Sequence, residues 1–142
     1  MKITGITSLD HAPQVAAEWL NELAEIVDWP NDRARVYALL RETLHAVRDF
    51  LGPDEAADLA AQLPLLIRGV YFEGWVPSRT PARPRSKADF LARVAAGFTE
   101  RPLENPEVAV AGVFDLLRRK LSAGELGQVA HSMRKSLREL WE

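Results

Sequence analysis

The chain repeats itself, and this repeat limits the folds open to it more than any other feature. Shifting the sequence by 70 positions lays Leu44 over Phe114, Val47 over Leu117, Arg48 over Arg118 and Leu51 over Leu121 without a gap. The same offset sets Glu55 over Glu125, Leu59 over Val129, Ala60 over Ala130, Leu63 over Met133, Ile67 over Leu137, Arg68 over Arg138 and Tyr71 over Trp141. One extra residue in the second copy brings Trp19, Leu20 and Leu23 over Phe90, Leu91 and Val94. Apolar residues meet apolar residues in three successive helical patterns, in the same order. The simplest account is an all-α protein of six helices, built as two tandem three-helix units in pseudo-two-fold relation. A unit of about 70 residues is marginal alone, which favours one compact bundle with a shared core.

Start and stop signals place the elements. The first unit, residues 1–75, is expected to carry helices over about 9–28, 32–51 and 53–72. Ser8 or Asp10 can cap the first, with Pro13 in its opening turn, and Val15, Trp19, Leu23 and Ile26 follow helical spacing. Asn31 or Asp32 caps the second, whose stripe runs Val36, Leu39, Leu40, Thr43, Leu44, Val47, Phe50 and Leu51. Gly52 stops it, and Pro53 opens the third helix where no backbone donor is needed, with Asp54 and Glu55 at the positive end of the helix dipole. Residues 76–86 form a Pro- and Arg-rich connector within EGWVPSRTPARPRS, which has no apolar periodicity and reads as extended. In the second unit, residues 87–142, Ser86 and Asp89 form a capping-box pair, Asn105-Pro106 starts a fifth helix, and Ser122 with Glu125 starts a sixth.

Leu51 to Trp75 is the stretch around which the rest is expected to be arranged. Leu63 to Phe72 is apolar on nearly every side except at Arg68 and Gly69, as suits a central helix with protein on more than one side. Pro64 should bend that helix. In the second copy Pro64, Leu65 and Leu66 are replaced by Arg134, Lys135 and Ser136, so the sixth helix is expected to keep a wet face while the third is buried between the units.

The run LRETLHAVRDFLGPDEAADLAAQLPLLIRGVYFEGW, followed by the connector and by FLARV around Leu91, resembles the DUF2267 family of prokaryotic proteins. The resemblance covers roughly Trp19 to the C-terminus and rests most specifically on AQLPLLIRGVYFEGW. It implies an all-helical fold and no particular reaction, because the family is named for having no established function.

Composition narrows the chemistry. A chain that is 47% hydrophobic and 27% charged is expected to be folded and globular. With no cysteine there are no disulfides, thiolate nucleophiles or cysteine-bound metal centres. The opening MKITGITSLDH lacks the apolar run of a signal peptide, and no stretch approaches the ~20 apolar residues of a membrane span. A cytoplasmic location without membrane association is the expectation. The net charge of −2 conceals a polarity: residues 1–75 carry 6 basic and 12 acidic residues, net −6, and the remainder carries 12 and 8, net +4. Such a chain can pair its own halves, pair head to tail with a second copy, or show its basic side to an acidic partner.

No arrangement of side chains specifies a reaction. His11, His45 and His131 belong to no metal-spacing motif and read as satisfied or exposed. No catalytic triad order or glycine-rich phosphate loop occurs, no two helices each carry a Glu-x-x-His motif as a di-metal bundle needs, and Asp54, Glu55, Glu22 and Glu25 are explained by capping and solvation. The expectation is a protein that is not an enzyme and uses no cofactor or metal. Two clusters stand out. Arg68, Tyr71, Glu73 and Trp75 meet where the third helix enters the connector and can line a pocket or groove. They can equally pin the connector, with Arg68 satisfying carbonyls at a helix end. Arg79, Arg83, Arg85 and Lys87 form a basic patch that invites a nucleic-acid or small-ligand reading, against which stands the acidic pI of about 5.9. The reading favoured by the sequence is an interaction or scaffold domain with a protein partner or a second copy of itself.

Overall fold

The computed structural model describes residues 3–132, together with Arg138 and Leu140. Met133, Arg134, Lys135, Ser136, Leu137 and Trp141, on which part of the repeat and the wet-face contrast depend, lie outside the described residues, as does the side chain of Glu125. Among the described residues the chain forms seven α-helices and no strand: α1 (Thr7–Val27), α2 (Arg33–Phe50), α3 (Pro53–Ala60), α4 (Leu65–Phe72), α5 (Lys87–Ala95), α6 (Pro106–Lys120) and α7 (Ala123–Ser132). A single 3-10 turn, Pro77–Arg79, interrupts the connector.

The expectation of six helices is corrected at Pro64. It does not bend one helix over residues 53–72; it ends one and starts another. Residues 61–64 leave the helix, and Pro64, with extended backbone, becomes the N-cap residue of α4. The missing donor and the bulk of the proline ring explain the break. A second correction concerns α1, which starts at Thr7 rather than after Ser8 or Asp10. The Asp10 carboxylate instead reaches back to accept from Thr4 N (2.8 Å), Thr4 Oγ1 (2.8 Å) and Gly5 N (3.1 Å), fixing the chain's entry into the helix. Pro13 therefore sits inside α1 rather than in its first turn.

The remaining boundaries follow their caps. Asp32 Oδ1 accepts from Arg35 N at 3.1 Å to open α2, and Asn105 Oδ1 accepts from Val108 N at 3.2 Å to open α6. Ser86 and Asp89 make the reciprocal capping box of α5. Gly52 and Pro53 open α3, and Asp28, at φ 59°, closes α1 in the left-handed region that an aspartate tolerates.

The helix with protein on all sides is α2. It packs against α1, α3, α4, α5 and α6, and from Thr43 to Arg48 every residue is buried. This corrects the expectation of a central helix over Leu63 to Phe72. In α4 only Ile67 and Tyr71 are buried, while Leu65 and Leu66 remain 48% and 43% exposed. Eight residues make about two turns, which present one face inward and necessarily leave the other outside.

Residues from both halves of the sequence enter one hydrophobic cluster. Phe90 of α5 is its hinge point, meeting Phe50 of α2 edge-on at 5.2 Å and Phe114 of α6 at 6.0 Å. Such ring pairs contribute about 0.5–1.5 kcal/mol beyond the area they bury. Where α1 crosses α6, a side chain at Gly112 would lie 2.7 Å from Val27 Cγ1, so only glycine permits that approach.

Part of the charge polarity of the sequence is closed within the molecule. Arg93 of α5 reaches Glu42 and Asp49 of α2, both at 3.4 Å, Arg101 pairs with Asp32 at 2.5 Å, and Lys120 of α6 pairs with Glu22 of α1 at 2.6 Å. Each joins an acid of the first 75 residues to a base of the remainder. Most are partly exposed and individually weak.

Candidate functional site

The region around α4 is built from helix ends that satisfy one another. Where α3 stops, carbonyls at its end and in the turn beyond it lack intrahelical donors. Arg68 supplies them, donating from Nε to Ala60 O and from an Nη to Leu63 O, both at 2.9 Å. Tyr71, fully buried, donates its hydroxyl to Ala56 O at 2.9 Å, and burial raises its pKa well above the usual phenol range. These two side chains of α4 thus fasten it back onto α3.

The other end of α4 is held by α2. His45 Nε2 lies 2.7 Å from Val70 O, and because a carbonyl only accepts, that nitrogen carries the proton. Desolvation lowers the imidazole's pKa, with the Arg48 charge acting in the same direction and the bond to Val70 O opposing them. Arg48, 3% exposed, donates to Tyr71 O at 2.7 Å and to Glu73 O, and its Nε donates to Asp49 Oδ1 at 3.1 Å. Gly74, at φ 74°, makes the turn out of this arrangement.

Of the four residues singled out here by sequence, Arg68 and Tyr71 are occupied with backbone carbonyls. Glu73 contributes its carbonyl and leaves its side chain in solvent. Trp75 is half-buried and packs on Phe72 at 5.1 Å, with its indole Nε1 buried and unbonded. Tyr71 and Glu73 are linked through Arg48, which donates to both carbonyls, while the side-chain polar groups of Arg68 and Tyr71 face the backbone. What α4 offers to solvent is its opposite side, Leu65, Leu66 and Gly69.

The basic patch is divided. Lys87 is paired with Glu107, and Arg85 is half-buried with its Nε lacking a hydrogen-bond partner. Arg79 and Arg83 are exposed and have no partner among the described residues. The connector does not run free, since Ala82 N donates to Asp49 O at 2.6 Å and anchors it to the last turn of α2.

Sequence reasoning missed three features. The first is a groove of about 870 Å³ between α3 and α7, floored by Leu59 and Val129 and rimmed by Glu55, Asp58 and His131. The second is a pocket of about 550 Å³ beside the turn from α1 to α2, where the Arg35 guanidinium lies 4.9 Å from the Trp29 ring and 5.1 Å from that of Phe98 while donating to Arg101 O and Pro102 O. The third is two sets of exposed apolar side chains: Ile3, Ile6 and Leu9, leading into and opening α1, are 79%, 55% and 43% exposed, and α4, against which α1 packs, carries exposed Leu65 and Leu66. The signal for the third was present in the adjacent leucines after Pro64, but they read as core.

Among the described residues no three histidine, aspartate or glutamate side chains come together as metal ligands, and no helix is long and apolar enough to cross a membrane. The fold and this surface define an all-α helical domain whose prominent features are grooves and apolar faces. Residues 16–140 match the family described as an uncharacterized conserved protein (DUF2267), and the chain belongs to that family. A search of curated proteins finds no match.

Proposed function

We propose that this protein is a non-catalytic helical interaction domain of the cytoplasm that meets a protein partner through the apolar surface of α1 and α4. The observation that carries the reading is the exposure of Leu65 and Leu66 at the start of α4, with Ile3, Ile6 and Leu9 exposed at the start of α1, the helix α4 packs against. Apolar patches of a few hundred Å² on a monomer mark interaction surfaces more often than single exposed residues do. The Asp10 carboxylate ties Thr4 and Gly5, so that Ile3 and Ile6 flank an ordered turn. The Arg68, Tyr71 and Arg48 contacts give α4 a fixed position from which to present its outer face.

The same reading takes the fold as two tandem related units. It is supported by the C-terminal ends of α2 and α6, which correspond at the repeat offset of 70 and close on leucines with nearly equal backbone angles, φ −100° and ψ 159° at Leu51 against φ −110° and ψ 159° at Leu121. In this view the first copy's third helix was broken by Pro64 and turned outward to serve as the contact element.

The test is a photo-crosslinking residue placed in cells at position 66, with position 104, also exposed, as control. A polypeptide captured at 66 and not at 104, and lost when Leu65 is replaced by serine, is the expected result. Equal capture at both positions, or none at 66, sinks the assignment of this face.

A further inference from the structure

Several acids along the chain have no ion-pair partner among the described residues, Glu18, Glu25, Asp28, Glu73, Glu100 and Glu104 among them. Glu22, Asp32, Glu42 and Asp49 are paired with bases of the second part. Asp54, Glu55 and Asp58 of α3 have no ion-pair partner among the described residues. Asp54 and Glu55 lie in the first turn, where the helix dipole favours them, but Asp58 is in the second half of an eight-residue helix and has no such reason to be acidic. On the basic side, Arg79 and Arg83 of the connector are exposed and without partners among the described residues, as is Arg33 at the start of α2.

The α3 carboxylates border the α3–α7 groove, and the groove's far wall is bare. Gly124 and Gly127 lie within α7, and a side chain added to either would meet nothing within 4 Å among the described residues. Gly112 and Gly97, by contrast, would drive a side chain into Val27 and Glu42. A glycine inside a helix costs about 1 kcal/mol relative to alanine. Gly127, inside α7, therefore carries that cost with no close approach among the described residues to offset it.

The two sets of charges start from the same end of α2. Ala82 N is bonded to Asp49 O, and Gly52, three residues after Asp49, is the N-cap of α3. A molecule with both signs at one end is self-complementary under a two-fold rotation, because each copy's bases can meet the other's acids. We propose that the protein forms a two-fold dimer in which Arg79 and Arg83 of each copy enter the α3–α7 groove of the other, beside Glu55 and Asp58. The occupant is a second copy, because the groove's acidic rim is matched by unpaired arginines on this same chain. The proposal rests on the reading of the protein as an interaction domain, but it uses a surface separate from Leu65 and Leu66.

Sedimentation of the purified full chain at about 100 μM, in low and in high salt, tests it, with circular dichroism and thermal unfolding as controls for folding. Wild type is expected to dimerise in low salt and to dissociate as salt rises. The double variants Arg79→Glu/Arg83→Glu and Glu55→Lys/Asp58→Lys should each weaken the dimer about a hundredfold or more. An equimolar mixture of the two variants should dimerise again, because both contacts return with their signs exchanged. A wild-type monomer in low salt overturns the proposal, as does a dimer that neither double variant weakens. If the chain stays monomeric yet shifts a nucleic acid in a mobility assay, and Arg79→Glu/Arg83→Glu abolishes the shift, the arginines belong to nucleic-acid binding instead. Should Glu55→Lys/Asp58→Lys fail to fold, the connector variant and the wild-type salt dependence still decide. Loss of the dimer with capture at position 66 retained removes this inference alone.

Discussion

Replacing Arg48 with methionine should unfold this protein more readily than any other single change at a polar position. The side chain is 3% exposed and donates to Tyr71 O and Glu73 O at the end of α4, and to Asp49. Methionine fills similar volume, so packing is largely retained and the loss is electrostatic. Each hydrogen bond from a charged donor contributes about 1.5–3 kcal/mol, and removing one member of a buried charged group leaves its partners unsatisfied, for a cost of about 3–5 kcal/mol. Asp49 keeps Arg93 at 3.4 Å, which holds the figure toward the lower end. Domains of this size have about 5–15 kcal/mol of stability in all, and each kcal/mol moves the midpoint by about 2–4 °C. The expected outcome is a midpoint lower by about 10 °C, with the native helical signal intact at low temperature. Lysine at this position keeps the charge but not the fork that reaches two carbonyls, so it should recover only part of the loss. A urea titration showing less than about 1 kcal/mol for Arg48→Met would refute the view that α2 holds α4 through this side chain.

Three further outcomes follow from the same geometry. His45 is held neutral, with its folded pKa below the ordinary 6.5, so the unfolded chain binds a proton first as pH falls; stability is full above about pH 6.5 and declines below it, and His45→Gln should flatten the pH dependence of urea unfolding in that window. Gly112→Ala should destabilise by about 1–3 kcal/mol because its methyl meets Val27, whereas Gly124→Ala, in open space within α7, should stabilise by about 0.5–1 kcal/mol; thermal midpoints of the two variants moving in one direction would contradict this. Leu65→Ser/Leu66→Ser should change stability by less than about 1 kcal/mol, since both leucines face solvent, while Ile67→Ala beside them should cost about 2–5 kcal/mol, and equal losses would mean the exposed face of α4 is misplaced.

Local signals were easiest to read from the sequence. Asp32, Ser86 with Asp89, Asn105, and Gly52 with Pro53 all act where their chemistry places them, because a cap depends on neighbours a few residues away. The stripe of α2 was legible for the same reason. Pro64 was recognised as a disturbance, but whether it bends a helix or ends one depends on what receives the freed carbonyls, and here Arg68 does so from the following helix. That choice decides the helix count and turns Leu65 and Leu66 outward. The charge polarity was equally visible, yet the sums do not say which acid meets which base; only the folded chain brings Arg93 to Glu42 and Lys120 to Glu22. Arg48 was not legible as part of the core: it lies between Val47 and Phe50 of the apolar stripe, but its counterpart in the alignment, Arg118, is exposed and pairs with Asp115. The groove between α3 and α7 had no signal at all, since it arises from how helices distant in sequence are placed.

The interaction reading is tested most directly by native mass spectrometry of the untagged protein purified from its own cells, wild type beside Leu65→Ser/Leu66→Ser. The account predicts a second polypeptide on the wild type, over and above any salt-sensitive second copy, and its absence from an equally folded double variant. A wild type that carries no other protein, or a polypeptide that the double variant holds just as firmly, would contradict the claim that the outer face of α4 is where this domain meets its partner.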